Sequence, residues 1–420
     1  MKVAIIGSGG REHAICTSVH RSKRQSKIYC IPGNAGTEEI ATNVEIDLNN
    51  FEKLKNFIKE KNIELVIVGP EKPLVDGLVD YLEENNIKVF GPNKISSQLE
   101  GSKIFTKQIC EKYNIPTAKF GIYESKDKIN KFINNCNFPM VIKADGLAAG
   151  KGVFICENIQ QAIDSSNDIF NGKFGKAEKV LVEEFLNGEE MSFFIISDGN
   201  TYKFFCTAQD HKRVLENDEG KNTGGMGAYS PSRLENPNLN KKIEEKIIIP
   251  TLKAINDLNS KYIGFLYAGL MIINEEPYLI EYNVRMGDPE CQTILPRLRS
   301  DLLEIINSCV ENKLKNTPIE WFEDKSLCIV LCSKGYPDEY KKGLEINLKN
   351  VKIKNNEFIF HAGTKKDSGK ILSNGGRVLN FVIRSNDFKD AREKAINMIK
   401  KLSWDNGFYR KDIGFKVIGK

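Results

Sequence analysis

Three features that would assign this 420-residue chain to other classes are missing from its sequence. Its 61 Lys and Arg nearly balance 56 Asp and Glu, and they form no concentrated basic run of the kind that nucleic-acid binders carry. The longest uncharged apolar stretch, 262–274, is too short to span a bilayer, which takes about 20 residues. The ten cysteines include no CxxC pair, so neither a zinc site nor a disulfide framework is expected. We therefore expect a cytoplasmic protein that binds neither nucleic acid nor membrane.

The first hundred residues alternate between short apolar runs and segments with helical apolar spacing. Strands are expected at 3–7, 27–31, 65–68 and 88–90, and helices at 11–20, 50–61 and 74–85. Continuous apolar strands joined by crossover helices form a parallel sheet that is covered on both faces. Most of these strands end in a glycine or proline loop, and ligands of such sheets bind at that edge. The fold class expected for 1–101 is therefore a doubly wound parallel sheet.

After residue 100 the pattern changes from alternating α/β to mixed α+β. A middle domain is expected over 102–320. It contains a small unit over about 115–187, in which strands at 140–144 and 152–155 flank a glycine loop. A small α+β domain is expected over 321–420.

The first candidate binding motif is a glycine turn between a strand and a helix, GSGGREH at 7–13. Glycine lets the backbone approach a phosphate, and the helix N-terminus offers free N–H groups and the positive end of the helix dipole. A dinucleotide site would need a third glycine where Glu12 stands and an acidic residue where Cys30 stands. We interpret the turn as a site for a phosphorylated small molecule, with a purely structural turn as the alternative.

The second motif is VIKADGLAAGKGV at 141–153, a run of small residues bracketed by Lys143 and Lys151. It is not a Walker A loop, because Gly152 stands where Ser or Thr must hold magnesium. A flexible lid that closes on a triphosphate explains both the small residues and the two lysines. An ordinary glycine-rich hairpin is the alternative.

The third motif is EEFLNGEE at 183–190, an acidic exit from a predicted strand. Such exits are usually solvated, and alone this one says little. Because it follows the lysine loop, it fits a hinge between two units. Backbone groups there are placed to read an adenine edge, and Glu190 to accept hydrogen bonds from ribose hydroxyls.

The fourth motif joins QDHKR at 209–213 to the glycine loop NTGGMGAY at 222–229. Basic side chains and an aspartate before a loop rich in free N–H groups suit phosphate or carboxylate anions. His211 is a candidate general base, although a lone His beside Lys and Arg is more often a binding or surface residue.

The fifth motif is EYNVRMGDPECQ at 281–292. On a strand, Glu281 and Asn283 project to the same face. Two neighbouring oxygen ligands suit Mg²⁺, which takes one or two protein ligands together with phosphate oxygens. Arg285 follows on that face, placed for a transferring phosphoryl group or a carboxylate. A surface strand with a salt bridge is the alternative.

These motifs occur in one order with PGNAGT, VGPEKPLVDGL, QLEGSK, GFLYAGLM, HAGT and NGGRVL. In that order the whole chain resembles the phosphoribosylamine–glycine ligases, a family of ATP-grasp enzymes of purine biosynthesis. The glycine flap and the Glu-x-Asn strand are shared across ATP-grasp enzymes, whereas QDHKR, NTGGMGAYSP and RMGDPE point to this family. The resemblance implies a Rossmann-like domain, an ATP-grasp fold with a lid, and a small C-terminal domain.

The resemblance also implies a reaction and its residues. Glycine and 5-phosphoribosylamine would be joined through a glycyl phosphate, with ATP as co-substrate and Mg²⁺ or Mn²⁺ as the metal; we expect a monomer. The residues expected to bind ATP are Lys103, Lys143, Lys151, Glu183, Glu184, Phe185, Leu186 and Glu190, and those expected to bind the metal are Glu281 and Asn283. The residues expected to be catalytic are Arg285, Lys143 and Asp210, and those expected to bind the other substrates are Gly9, Gly10, Asn34, Lys212, Arg213 and Asp288.

One position departs from the family pattern, and three rival functions remain. The strand before the Glu-x-Asn strand carries no acid, where many ATP-grasp relatives have one, so the number of metal ions stays open. The rivals are another ATP-grasp carboxylate–amine ligase or a relative that carboxylates a purine intermediate, an NAD-dependent oxidoreductase, and a non-catalytic nucleotide-binding or regulatory protein. Glu12 and Cys30 argue against the oxidoreductase, and the intact Lys, Glu, Asn and Arg positions argue against the binding protein.

Overall fold

The computed structural model describes residues 1–134, 136–147, 152–175, 178–402 and 404–419. Its first hundred residues form a five-stranded sheet in the order β3-β2-β1-β4-β5, with every neighbouring pair parallel. The strands are β1 Lys2–Gly7, β2 Lys27–Pro32, β3 Thr42–Asn43, β4 Leu65–Val68 and β5 Val89–Phe90. The helices are α1 Gly10–His20, α2 Phe51–Glu60, α3 Glu71–Asp76, α4 Leu78–Glu83, α5 Lys94–Gly101 and α6 Lys103–Lys112. The strand order reverses between β1 and β4, which confirms the predicted doubly wound sheet.

The single helix expected over 74–85 is wrong, because the chain forms α3 and α4 instead. Gly77 separates them with a φ of 94°, a left-handed conformation that glycine adopts without strain. The break lets α3 begin at Glu71, directly after the loop that follows β4. Glu71 thereby reaches the carboxyl edge of the sheet, where ligands of this fold class bind.

The small unit in the middle of the chain has a four-stranded antiparallel sheet in the order β6-β9-β7-β8. Its strands are β6 Phe120–Tyr123, β7 Met140–Ala144, β8 Val153–Cys156 and β9 Val180–Glu184, and its helices are α7 Lys126–Ile133 and α8 Ile159–Phe170. Ile129, Ile142 and Val182 belong to a core made only of residues from this unit. The loop between β7 and β8 includes the flap of the lysine motif, of which 148–151 lie outside the described residues.

A larger antiparallel sheet begins where the small unit ends. Its order is β16-β15-β10-β11-β14-β17-β22-β19, with β23 beside β17. The middle part of the chain supplies β10 Glu189–Asp198, β11 Tyr202–Asp210, a hairpin of β12 Arg213–Leu215 and β13 Glu219–Asn222, β14 Gly227–Ser230, β15 Ile263–Ile273 and β16 Glu276–Asn283. The helices of this part are α9 Pro237–Ile243, α10 Ile249–Asp257, α11 Glu290–Ile294 and α12 Leu302–Val310, with a π-helical segment Glu244–Ile248 between α9 and α10.

The last hundred residues continue this sheet. Their elements are β17 Lys325–Ser333, β18 Glu345–Ile346, β19 Glu357–His361, β20 Thr364–Asp367, β21 Lys370–Ser373, β22 Arg377–Ser385, α13 Phe388–Leu402 and β23 Gly407–Phe408. Pairing of β14 with β17 joins them to the sheet that carries β16. One buried core contains Ile5, Ile294 and Phe381, so the first, middle and last parts of the chain pack against one another.

The cysteine thiols and the lengths of the helices bear on the expectations about disulfides and about the membrane. All ten cysteine thiols are free, and nine of them are buried, where cysteine packs as a small apolar residue. Among the described residues, no helix combines the length and the apolar character needed to cross a bilayer.

Candidate active site

Cationic side chains from four parts of the chain converge on Glu281, near the end of β16. The surrounding protein alone would raise the pKa of the Glu281 carboxyl, yet this pKa lies below its ordinary value. The cations that lower it are Lys212, Lys143, Lys103 and Arg285. The structure therefore brings the flap strand, the start of α6 and the QDHKR motif to the predicted metal strand.

Glu281 and Asn283 project from one face of β16, as the strand alternation predicts. Glu281 has a cationic neighbour in Lys212, at 4.0 Å, and within the described residues the Asn283 side chain makes no hydrogen bond. Gly269 lies opposite Glu281, and a Cβ there would lie 3.2 Å from the Glu281 Cγ. Nowhere in the described ranges do three or more His, Cys, Asp or Glu side chains form a metal cage. Two available oxygen ligands without a cage fit a Mg²⁺ ion that is also held by phosphate oxygens.

Four carboxylates surround the ammonium group of Lys212. Its Nζ lies 2.8 Å from Glu190 Oε2 and 4.0 Å from Glu281 Oε1. Burial raises the pKa of the Asp210 carboxyl to about 7; Lys212 opposes this rise, and the neighbouring carboxylates, led by Glu290, add to it. Burial also raises the pKa of Glu290. Near neutral pH, Asp210 can therefore take up or release a proton.

Two lysines of the predicted nucleotide site are held on the other side of Glu281. Lys103 donates to the backbone oxygen of Gly146 at 2.8 Å, which ties the start of α6 to the base of the flap. Lys143 donates to Glu183 Oε2 at 2.9 Å, and Lys107 lies 3.2 Å from the other oxygen of that carboxylate. Lys151 falls in the part of the flap that the structure does not describe.

The predicted hinge connects β9 to β10. Glu184 Oε1 accepts a hydrogen bond from the Lys119 N–H at 2.9 Å, so this carboxylate holds the start of the small unit. Phe185 is exposed and Leu186 is half-buried, although both are apolar. Exposed apolar side chains at a hinge beside two lysines offer a surface on which a planar base can lie.

Arg285 is clamped by two carboxylates from the first hundred residues. Its Nε donates to Glu71 Oε2 at 3.2 Å, and its Nη2 donates to Glu100 Oε1 at 2.6 Å. Arg285 lowers the pKa of Glu71 to about 2, whereas burial raises the pKa of Glu100 to about 7. The clamp fixes the orientation of the guanidinium, and its positive charge contributes to the lowered pKa of Glu281.

The glycine turn after β1 lies against the RMGDPE segment. Glu12 Oε2 accepts the Gly9 N–H at 2.6 Å, and Asp288 Oδ2 accepts the Arg11 N–H at 3.2 Å. Gly10 packs so tightly that a Cβ there would lie within 2.4 Å of Asn380. Two carboxylates thus occupy N–H groups that the phosphate interpretation expected to be free, and an anion at this turn has fewer amide donors than predicted.

Asn34 braces the same turn with every polar atom of its side chain. Its Nδ2 donates to the backbone oxygens of Ser8 at 2.9 Å, Gly9 at 3.3 Å and His361 at 2.8 Å. Its Oδ1 accepts the N–H groups of Gly36 and Thr37. Asn34 therefore shapes the turn and joins it to the last part of the chain.

The second glycine loop does not present the free N–H groups that its sequence predicts. The N–H groups of Gly224, Gly225 and Met226 donate to Tyr336, to the hydroxyl of Thr223 and to the backbone of His211. This prediction is wrong for these three amides, because the loop folds back on its neighbours. The side chain of Arg377 instead donates to the oxygen of Gly224 at 2.5 Å.

Two further residues of the QDHKR motif have structural partners. His211 is 1% exposed, and its Nε2 accepts the Gly414 N–H at 3.0 Å, so it is neither a surface residue nor an available base. Arg213 donates to the oxygen of Gly220 at 2.6 Å within the β12–β13 hairpin. Of this motif, Asp210 and Lys212 lie among the charged side chains around Glu281.

Sequence reasoning missed several charged residues that complete the site. They are Glu71, Glu100, Lys107, Glu290 and Arg377. Arg377 lies 3.2 Å from Asp288 Oδ1 and donates to the Asp288 backbone oxygen at 2.6 Å. Most of these residues stand in quoted segments: VGPEKP, QLEGSK, RMGDPE and NGGRVL. The charged residue in each segment was the signal that the sequence offered. Its ion-pair partner lies far away along the chain, so the sequence did not show the pair.

A pair of buried histidines joins the glycine turn to the last part of the chain. His13 Nδ1 accepts the His361 N–H at 2.8 Å, and the two rings lie 5.7 Å apart. Burial lowers the pKa of His13 to about 3 and that of His361 to about 4. Both rings are therefore neutral in the folded protein at any pH near neutrality.

We expect the folding stability that this pair of buried histidines contributes to fall in acid. Unfolded histidine takes up a proton below about pH 6.5, whereas these buried rings do not, so stability is full above pH 6.5 and falls as the pH drops toward 4. At pH 5 the loss is about 2 kcal/mol for each ring. Urea unfolding of wild type and His13→Asn at pH 7.5 and pH 5 measures it, and the variant should lose about 2 kcal/mol less. His20→Asn, at the exposed end of α1, is the control; equal acid dependence in wild type and His13→Asn would contradict the expectation.

Family models match nearly the whole chain. The matches are to the N domain of phosphoribosylglycinamide synthetase over 1–100, to its ATP-grasp (A) domain over 101–291 and to its C domain over 326–416. Among curated proteins, the phosphoribosylamine–glycine ligase of Caldanaerobacter subterraneus subsp. tengcongensis is 47% identical over 98% of this chain and 99% of its own length. That of Brucella melitensis biotype 1 is 44% identical over 100% of this chain and 98% of its own length.

Solved structures give the same similarity at the level of the backbone. The crystal structure of phosphoribosylamine–glycine ligase from Thermotoga maritima superposes with a TM-score of 0.86 at 35% identity, covering 98% of this chain and 100% of that one. The biotin carboxylase domain of 2-oxoglutarate carboxylase from Hydrogenobacter thermophilus superposes with a TM-score of 0.74 at 16% identity, covering 97% of this chain and 91% of that one. The second similarity is one of fold.

Proposed function

The chain belongs to the phosphoribosylglycinamide synthetase family, and from this premise we infer that it joins glycine to 5-phosphoribosylamine in an ATP-dependent ligation of purine biosynthesis. A free carboxylate resists attack by an amine, so the γ-phosphoryl group of ATP is first transferred to glycine. The amine of phosphoribosylamine then attacks the glycyl phosphate and displaces phosphate. The products are glycinamide ribonucleotide, ADP and phosphate.

The observation that carries this proposal is the convergence of four cations on Glu281. The first step brings the glycine carboxylate against the γ-phosphate, and two unit charges about 4 Å apart repel by about 4 kcal/mol at an effective dielectric constant of 20. That repulsion corresponds to about three decades of rate. Cations fixed in place before the reaction lower this barrier without reorganising. Lys143 and Arg285 are the two that we assign to the transferring phosphoryl group.

We assign the nucleotide to the cleft between the small unit and the large sheet. Lys103 and Lys143 provide charge for the phosphates, and we assign Lys151 to them as well, on its place in the lysine motif. The hinge residues Glu183 to Leu186 provide backbone groups and an apolar surface for adenine, and we assign Glu190, whose carboxylate pairs with Lys212 at 2.8 Å, to the ribose hydroxyls. Since Lys143 is paired with Glu183, its Nζ must turn toward the phosphate when ATP binds, and Lys107 then keeps the carboxylate balanced.

We assign the metal to Glu281 and Asn283, and propose Mg²⁺, with Mn²⁺ as a substitute. The two side chains supply oxygen atoms, the donor type that these hard cations prefer. When bound, the metal neutralises charge on the β- and γ-phosphates. Glu281 also orients the Lys212 ammonium. The positive charge of Lys212 offsets the surrounding carboxylates, which would otherwise repel the substrates.

We assign the acceptor amine to the neighbourhood of Asp210 and Lys212. The amine loses a proton when the amide bond forms, and a carboxyl with a pKa of about 7 is matched to accept it. Asp288, with Gly9 and Gly10, lies beyond Arg285, where the phosphoribosyl part would extend. Asn34 acts there by shaping the turn, and Arg213 by holding the hairpin that carries Lys212.

The division of the chain into 1–101, 102–320 and 321–420, with a movable lid over about 115–187, fits these assignments. The three family domains and the separate core of the small unit support it. We also propose that the enzyme acts as a monomer in the cytoplasm. Its ten free thiols support a reducing compartment.

Phosphate release tests the function directly. The full-length protein is incubated with ATP, MgCl₂, glycine and phosphoribosylamine generated in situ, and one component is omitted at a time. We expect release that needs all four and that matches the amount of a new amide product. Release without glycine would point to another carboxylate, that is, to a different ATP-grasp ligase. No release with a verified amine supply would overturn the assignment.

A further inference from the structure

A second cavity lies outside the residues assigned above. Its volume is about 620 Å³; it is open to solvent on one side and is lined by the end of β14, the start of α13 and residues 417–419. Pockets that bind small molecules typically measure about 300–1,000 Å³. None of its lining residues is one of the charged residues around Glu281, and none belongs to the hinge or to the glycine turn.

The walls of the cavity carry an excess of positive charge. Arg233, Lys325, Lys389 and Arg392 line it. Arg233 is paired with Glu189, but the other three have no carboxylate partner among the described residues.

The one acidic residue in the lining does not balance these cations. The carboxylate of Asp387 accepts the Lys389 N–H at 2.6 Å and the Asp390 N–H at 3.3 Å, so it caps the first turn of α13. Three unpaired cations around one cavity favour an anion, and phosphate is one that Lys and Arg bind through charge-assisted hydrogen bonds.

The rest of the lining is apolar except for Ser232. Pro231, Phe388, Val417 and Ile418 contribute to it, and Lys325 Nζ lies 5.6 Å from the centre of the Phe388 ring. An inorganic phosphate ion would leave this surface in contact with water. A ligand that combines a phosphate with a flat ring covers both the cations and the apolar wall.

We propose that this cavity binds a phosphate ester that carries a flat ring system, as a nucleoside monophosphate does. Lys389 and Arg392 hold the phosphate, and Lys325 lies between the phosphate and the ring. The ring packs on Pro231 and Ile418. The site is separate from the ATP site and takes a different ligand.

Calorimetric titration of AMP into the full-length protein tests this inference. The titration uses a Lys143→Ala background, so that binding at the ATP site is weakened. We expect one site for AMP, and we expect Lys389→Glu with Arg392→Glu to weaken it by at least about tenfold. The matched control is Lys400→Glu with Lys401→Glu, which makes the same charge change at the far end of α13 and should leave the affinity unchanged.

The outcomes of these experiments distinguish ligand binding at this cavity from the ligase reaction. With Lys143 intact, the Lys389→Glu and Arg392→Glu variant should keep full ligase activity, which also shows that it folds. Adenosine and inorganic phosphate alone should each bind more weakly than AMP. No AMP binding in the Lys143→Ala background, or binding that survives the charge reversal, would overturn the proposal. Phosphate that binds as tightly as AMP would overturn the assignment of the ring.

Discussion

Glu281→Ala should lower ATP-dependent phosphate release by about 10²–10³-fold, a range typical for loss of one preorganised electrostatic group. Glu281 lies where four cations converge, and with Asn283 it supplies the oxygen atoms available to a metal. Removing it takes away one of the two metal ligands, so the compensation that the metal gives the γ-phosphate is lost, and it removes the more distant of the two carboxylates that pair with Lys212. The measurement is phosphate release at saturating ATP and glycine, across a MgCl₂ titration.

The matched control stands on the same strand. Glu276→Ala removes a carboxylate at the other end of β16, where Glu276 pairs with Lys242 and Lys246 and its pKa is lowered by those hydrogen bonds. Its activity should stay within about twofold of wild type, because an ion pair on the surface contributes little to stability and Glu276 lies away from the site. If Glu281→Ala released phosphate at the wild-type rate, the metal assignment would be wrong.

Arg285→Met should affect both catalysis and folding. The guanidinium is the shared partner of Glu71 and Glu100; removing it leaves Glu100 without its hydrogen-bonding cation and leaves Glu71 with Arg11 at 3.9 Å. Breaking such a buried pair typically costs about 3–5 kcal/mol of folding free energy. Removing the charge at the transferring phosphoryl group should lower kcat by about 10²–10³-fold. Urea unfolding and steady-state kinetics measure the two effects separately.

A second variant separates the two roles of Arg285. Adding Glu100→Gln to Arg285→Met removes the buried carboxyl that has lost its cation and should recover part of the stability, while kcat stays low. Recovery of kcat together with stability would show that Arg285 acts only through the fold. Arg299→Met is the control for losing an arginine, because Arg299 is exposed and pairs with Glu320 on the surface.

Local patterns in the sequence predict most of the fold that carries the site. The apolar runs before glycine loops predict the parallel sheet, because strand and turn preferences act over a few residues. The alternation on one strand predicts that Glu281 and Asn283 share a face. The helix over 74–85 was predicted wrongly, because its apolar spacing continues across Gly77 and gives no sign of the break there.

The partners of the site residues are decided by packing alone. Arg285 meets Glu71 and Glu100, which lie 214 and 185 positions away along the chain. Asn34 and His361 are 327 positions apart, and their contact removes Asn34 from direct ligand binding. The amides of the second glycine loop are lost to neighbours for the same reason.

The sequence by itself therefore determined which residue types stand at the end of each strand, and so which chemistry the chain can perform. Only the tertiary structure decided which charges face one another. Local preferences depend on neighbouring residues, whereas the pKa of Asp210 and the clamp on Arg285 depend on burial and on charges from distant elements. The distances between these charges are fixed when the sheets pack together, and no short segment of the chain encodes them.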